Sequence, residues 1–259
     1  MIPFAYGRLT GLALHGPARL LLSLFLVVAL SACRDPSNEY LYQGTALGTG
    51  YHITLYADLG AEQALELEAG IQGELASLER QRSGFLHAMD AAFGWLWLSP
   101  AASLNREMDR LVHALAVDRL TLWLDAQRFS PSAMLVEVGG VVRGQGVPPM
   151  GGWRLSLEQA GLPDPDGAHR LRLENAALVR RFAQQDGMPL VSLSTLLAVS
   201  VVAPSASEAM EQANRLMHAR PEEALTLAVA MDSAARVIVK TPQSIEIHHT
   251  AALEPWLEP

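Results

Sequence analysis

A single cysteine, Cys33, stands in the 259-residue chain. No intramolecular disulfide can form, so the core alone must hold the fold, even in a compartment that would permit a bridge. Long apolar runs are also missing. The most continuous one, Leu20–Leu30, is about 11 residues, too short to span a bilayer. Basic character is lacking too: the formal net charge is -8, which disfavours nucleic acid and anionic headgroups as partners. Several catalytic signatures are absent. There is no GxSxG elbow and no Walker loop, and "GGVVRGQG" (139–146) neither fits GxGxxG nor opens a helix. "DPDG" (164–167) lacks the further oxygen ligands of a calcium loop and reads as a turn.

What is present begins with an export signal. Arg8 and Arg19 precede the apolar run, and Leu30-Ser31-Ala32-Cys33 follows it. That tetrad resembles the lipobox of bacterial lipoproteins, which implies cleavage before Cys33 and lipid on its sulfur. The division expected is a signal peptide over 1–32, a lipidated tether over 33–43 and a folded domain over 44–259. No acidic residue precedes Cys33, so losing the two arginines takes the formal charge from -8 to -10. Membrane attachment is then expected from the lipid, on the periplasmic side. Arg34 rather than aspartate after the cysteine favours the outer membrane over the inner; Asp35 pulls the other way.

Half of the residues are hydrophobic, enough for one sizeable core or two small ones. Alternation at Tyr51, Ile53 and Leu55 predicts a strand. Apolar residues from Ala64 to Leu78 recur at helical spacing, with Asp58 as a candidate cap and Gly70 and Gly73 as weak points. "AFGWLWLSPAASLN" (92–105) is aromatic and irregular. If extended, Trp95 and Trp97 share a face, for packing or for stacking on an aromatic ligand. A second helix is predicted over Asn105–Gln127. Strands follow at Met134–Val138, Val141–Arg143 and Trp153–Leu157, with two short ones around Glu174-Asn175 and a β-branched one at Leu196–Pro204. Helices then begin after Ser205 or Ser207 and at Pro221, and "ARVIVKT" and "SIEIHHT" close the chain as strands. His248 and His249 are adjacent in the last, so they point to opposite faces, which argues against a shared metal. Gly139-Gly140 interrupts an apolar stretch, which marks a bulge or a close approach by a strand or a ligand. The fold class is α+β, in one domain of mixed sheets with packed helices.

The order of these pieces resembles the FAD:protein FMN transferase (ApbE) family. "GTALGTGYHITLY" (44–56) is similar to its opening strand, and "DAAFGWLWL" (90–98) to its aspartate-glycine-alanine-phenylalanine segment and later tryptophan. "VHALAVDRL" (112–120) resembles the helix start carrying alanine-valine-aspartate. "VEVGGVVRGQGVPPMGGWRLSLEQ" (136–159) matches a glycine-interrupted strand pair, and "AVSVVAPSASEAMEQANRLMHARPEEALTLA" (198–228) a late strand and two helices. The resemblance implies an ApbE-like fold, FAD and Mg2+ as cofactors, and transfer of FMN to a threonine or serine of an exported redox flavoprotein. It implies flavin contacts at Leu47, Gly48, Thr49, Ala92, Phe93, His113 and Arg119. It implies a metal site using the Ala116 carbonyl and two side chains four residues apart, at positions 210 and 214.

Departures from the family pattern fall on the chemistry. Met210 stands at the aspartate position and Asn214 at the threonine position. A thioether is a poor ligand for a hard cation, whereas the Asn214 amide oxygen remains possible. His113 replaces the family's lysine, and Ala114-Leu115 its glycine-tyrosine. "VRRFAQQDGMPLVSLSTLL" (179–197) lacks the family's threonine-serine-glycine turn and histidine-isoleucine-aspartate-proline segment, and the region between Trp97 and Leu111 is short. No catalytic residue is assigned. The expected function is therefore an impaired or non-catalytic relative of the transferases. Alternatives are a flavin- or protein-binding lipoprotein without transferase activity, an active enzyme with a rebuilt metal site, and an unrelated α+β lipoprotein.

Overall fold

The computed structural model describes residues 38–93, 102–157, 170–183 and 195–258. Cys33, Trp95, Trp97 and the 164–167 turn lie outside them. Eight strands form one antiparallel sheet in the order β1-β2-β3-β4-β7-β8-β9-β10. They are β1 (Asn38–Ala46), β2 (Thr49–Ala57), β3 (Ala133–Val138), β4 (Val141–Gly146), β7 (Ala176–Phe182), β8 (Thr195–Ala203), β9 (Ala234–Lys240) and β10 (Ile245–His249). A two-stranded sheet, β5 (Trp153–Ser156) with β6 (Arg170–Leu173), stands apart. The helices are α1 (Ala61–Phe93), α2 (Ala102–Asp125), α3 (Ala206–Met217) and α4 (Pro221–Ala230), with a 3-10 turn over Ala251–Trp256. None is long and apolar enough to cross a membrane. The mixed α+β class is the one expected; the two glycine-rich hairpins and the first strand differ from expectation.

The sheet separates two cores. On one side, Ala177, Val179, Val199, Val201 and Val237 pack with the helices. On the other, Leu178 and Val202 meet Trp153, Leu171, Leu173 and Leu253. β8 is buried on both faces, which is why it reads as a nearly unbroken β-branched run. α3 buries Ala206, Ala209, Met210, Ala213 and Leu216, the i, i+3, i+4 spacing of one helical stripe.

β1 begins at Asn38, inside the stretch read as tether, and pairs with β2 along its whole length. Leu41 and Tyr42 alternate outward and inward there, but the run is too polar to stand out as a strand by itself. α1 starts at Ala61, not next to Asp58, and Gln63 Oε1 accepts the Gly60 N–H as the local cap. It runs on to Phe93, past the helical spacing that ends near Leu78, and takes in only the first two residues of the 92–105 stretch expected to be irregular. Gly70 is no weakness in it: a Cβ there would stand 2.4 Å from the Trp123 ring, so the glycine admits α2 against α1.

Gly139-Gly140 is not a bulge but the two-residue turn joining β3 to β4. Both residues have positive φ (58° and 81°), and Val138 pairs with Val141 across the turn. β1 and β2 are joined the same way by Leu47 (φ 55°) and Gly48 (φ 75°).

Candidate functional site

These two hairpin turns meet at α2. His113 Nε2 lies 3.1 Å from the Leu47 carbonyl, which can only accept, so Nε2 carries the proton. The other ring nitrogen faces Gly139, where a Cβ would stand 2.3 Å from it. Gly139 N–H donates to the Gly50 carbonyl (3.1 Å). Leu47 holds a left-handed conformation that costs a leucine about 1–2 kcal/mol, and its side chain is buried. Burial and the His113 bond offset that strain. Strained backbone of this kind is characteristic of binding sites as well as turns.

Next to the Leu47–Gly48 turn a cleft of about 420 Å³ opens between β1, β2 and α1. Gln43, Thr45, Leu47, Tyr51, Gln72 and Glu79 line it. Gly44 makes room for Tyr51, whose ring a Cβ on Gly44 would strike. Burial, followed by the nearby Glu68 charge, raises the Tyr51 phenol above its ordinary value, so it stays protonated and can donate. Glu79 Oε2 is buried with no hydrogen-bond partner among the described residues. Its other oxygen accepts weakly from Arg82 (3.4 Å), and Arg82 binds Asp109 of α2 (2.5 Å). A larger cavity, about 640 Å³ near Arg154, Arg172 and Trp256, lies beside the small sheet and holds none of the residues singled out above.

Of the flavin contacts that the resemblance implies, Leu47 lines the cleft, Gly48 and Thr49 complete its turn, and His113 braces it. Arg119 pairs with Glu74 of α1 (2.7 Å). Ala92 and Phe93 end α1; their side chains lie outside the described residues. Tyr51, Gln43, Gln72 and Glu79 escaped sequence reading. The one available signal was Glu79 next to Leu78 and four residues after Leu75, on the inward edge of the helix.

The residues implied for magnesium do not fit a hard cation here. Met210 is 2% exposed and belongs to the core. Val112–Leu120 is no helix start but the middle of α2, where the Ala116 carbonyl belongs to the helical hydrogen-bond ladder. The Asn214 oxygen already accepts from the Arg181 guanidinium, a cation that excludes another. No cluster of three or more His, Cys, Asp or Glu suited to a metal occurs among the described residues.

Asp118, in the alanine-valine-aspartate segment, has a structural task. Its carboxylate accepts from Ala206 N (2.9 Å), Ser207 N (2.9 Å), Ser207 Oγ (2.7 Å) and Arg143 (2.6 Å). It thereby caps α3 from α2, next to Ser205, which accepts from Glu208 N. Burial pushes the Asp118 carboxyl upward, but Ser207, Ala206 and Arg143 outweigh it and hold the group below the usual carboxylate range.

An antiparallel eight-stranded sheet with helices on one face and a small sheet on the other is the fold of the ApbE flavin transferases. The solved structures it is similar to include the flavin transferase ApbE from Vibrio cholerae, at 15% identity and a TM-score of 0.66 over 86% of this chain and 100% of that one. The apo flavinyl transferase ApbE of Pseudomonas stutzeri superposes at 16% identity and a TM-score of 0.62, over 86% and 98%. The ApbE protein of Thermotoga maritima gives 12% and 0.60, over 86% and 100%. No protein-family model matches the chain, and no curated protein matches it.

Proposed function

We propose that this chain is a lipid-anchored envelope protein that holds a flavin in the cleft next to the Leu47–Gly48 turn, without magnesium-dependent FMN transfer. The observation that carries the second half is the pairing of Asn214 with Arg181 together with the burial of Met210. The first half is supported by the ApbE fold and by the cleft itself. Its volume falls in the range of small-molecule sites. Leu47, Leu75 and Ala76 offer an apolar wall, while Gln43, Thr45, Tyr51 and Gln72 offer donors and acceptors. Glu79 Oε2 calls for a donor, and the flavin ring carries one imide N–H among its oxygen acceptors. A bound flavin would supply redox capacity; the protein's own residues orient it and keep water from its face.

The test is titration of the full chain, purified in detergent, with FAD, in EDTA and in Mg2+. We expect binding that magnesium does not alter and no FMN transfer to an acceptor protein. Glu79→Ala should weaken it about tenfold. Binding that appears only with Mg2+, accompanied by transfer, would reverse the reading. Absence of FAD binding under both conditions would remove the flavin and leave the fold as a protein-binding module.

A further inference from the structure

Across the main sheet from the helices, β5 and β6 pair Trp153 with Leu173, Arg154 with Arg172, Leu155 with Leu171 and Ser156 with Arg170. Trp153, Leu171 and Leu173 turn inward to the second core. Alternation therefore puts Arg154, Arg170 and Arg172 on the outer face. The last residues add a third row to this small sheet. Leu257 bridges to Leu171 in antiparallel register, and Glu258 N–H donates to the Arg170 carbonyl (2.8 Å). That register sets Trp256 next to Arg172, so Arg154, Arg172 and Trp256 stand side by side.

These residues line the open cavity of about 640 Å³, a volume within the range of small-molecule sites. Pro255, Trp256 and Leu257 give it an apolar wall. Its four charged residues are not equivalent. Arg154 binds Glu258 (2.8 Å), so these two satisfy each other. Arg172 and Glu174 also line the cavity, yet neither side chain has a hydrogen bond or ion pair among the described residues. They are two positions apart, about 6–7 Å along an extended backbone. Gly152 (φ 68°) seats Arg172: a Cβ there would stand 2.5 Å from Arg172 Cγ, so the arginine lies against bare backbone. A guanidinium and a carboxylate, both without partners, thus share one cavity with an indole.

We propose that this cavity binds an α-amino acid with a large apolar side chain, Arg172 taking the carboxylate, Glu174 the ammonium group, and Trp256 with Pro255 covering the side chain. A guanidinium fork matches a carboxylate with two parallel hydrogen bonds. An ammonium group only donates, and an ionised carboxylate such as Glu174 only accepts. A simple anion at Arg172 would meet the repulsion of Glu174, and a simple cation at Glu174 that of Arg172. A zwitterion satisfies both charges, which is the complementarity that selects one partner over another. The flat indole of Trp256 offers an apolar surface for the rest of the ligand. The site is separate from the cleft next to the Leu47–Gly48 turn and does not depend on the flavin reading.

The probe is L-phenylalanine, titrated calorimetrically into the full chain purified in detergent. We expect it to bind, and to bind about tenfold more tightly than N-acetyl-L-phenylalanine, which lacks the ammonium group, or L-phenylalaninamide, which lacks the carboxylate. Arg172→Gln and Glu174→Gln alter exposed side chains without partners, so both variants should fold. Each should weaken L-phenylalanine about tenfold and leave the FAD titration unchanged. The analogues assign the roles: Arg172→Gln should no longer distinguish L-phenylalanine from the amide, and Glu174→Gln should no longer distinguish it from the acetylated form. No binding to the native chain would overturn the proposal. So would an acetylated analogue that binds as tightly as the amino acid, which would mean a simple anion site, or L-phenylalanine binding that Arg172→Gln leaves unchanged.

Discussion

Asp118 shows what one side chain can hold together. It joins α2 to the start of α3 and to Arg143 of β4, and four donors converge on it. Asp118→Asn should cost about 1–3 kcal/mol, read as a lowered Tm, because buried donors lose a charged acceptor. The pH dependence has a definite sign. The folded-state pKa is depressed below its ordinary 3.8, so the unfolded chain binds the proton more readily. The stabilisation is fully present above about pH 5, and it disappears as pH falls through the folded value. Stability of Asp118→Asn should therefore converge on that of the native chain in acid. A gap that widened in acid would refute this account. Gly139 is the second such position: its φ is 58°, and a Cβ there would stand 2.3 Å from His113 Nδ1, so it leaves no room for a methyl group. Gly139→Ala should destabilise by about 1–3 kcal/mol, whereas Gly140→Ala, with nothing within 4 Å of its Cβ, should show only the backbone cost.

At the scale of the element, α3 is where the resemblance to a metal enzyme and the physical core part company. Its buried stripe runs through Met210, and its last turn begins at Asn214, which Arg181 holds. Placing aspartate at 210 would bury a charge in the apolar core. Met210→Asp should cost on the order of 3–5 kcal/mol, and adding Asn214→Thr should not recover it. Thermal denaturation of the double variant with and without Mg2+ checks this: a Tm restored by magnesium would mean a metal site is latent in the fold. The exposed side of α3 tolerates charge freely, as Glu211 with Arg215 shows. A carboxylate one residue from Met210 is no substitute for one at 210, since it projects about 100° away around the helix.

For the whole molecule, the anchor and the cleft belong to one proposal. If Cys33 carries lipid, Cys33→Ser should move the protein from the membrane fraction to the soluble periplasmic fraction, with unchanged FAD titration. Membrane retention of Cys33→Ser would point to attachment by another route. Much of the element order was legible beforehand, because apolar spacing at 2.0 and 3.6 residues is a local property: β2, α2, β8 and α3 all fall where alternation or helical stripes place them. β1 was less legible, since an edge strand with one buried side chain carries little pattern. Of the candidate site, Leu47 and His113 were found through resemblance, but their contact is separated by 66 positions and no spacing rule links them. Arg181 left one faint trace, a charge in the inward phase of an apolar strand. The sequence by itself determined the element types, the absence of intramolecular disulfides, the acidic charge and a thioether rather than an oxygen at position 210, because each is a matter of composition or local order. Only the tertiary structure decided that Gly139-Gly140 is a turn against His113, that Glu79 lines a cleft, and that a guanidinium from β7 reaches Asn214. Those depend on which distant segments share a space, and long-range packing around the sheet settles that.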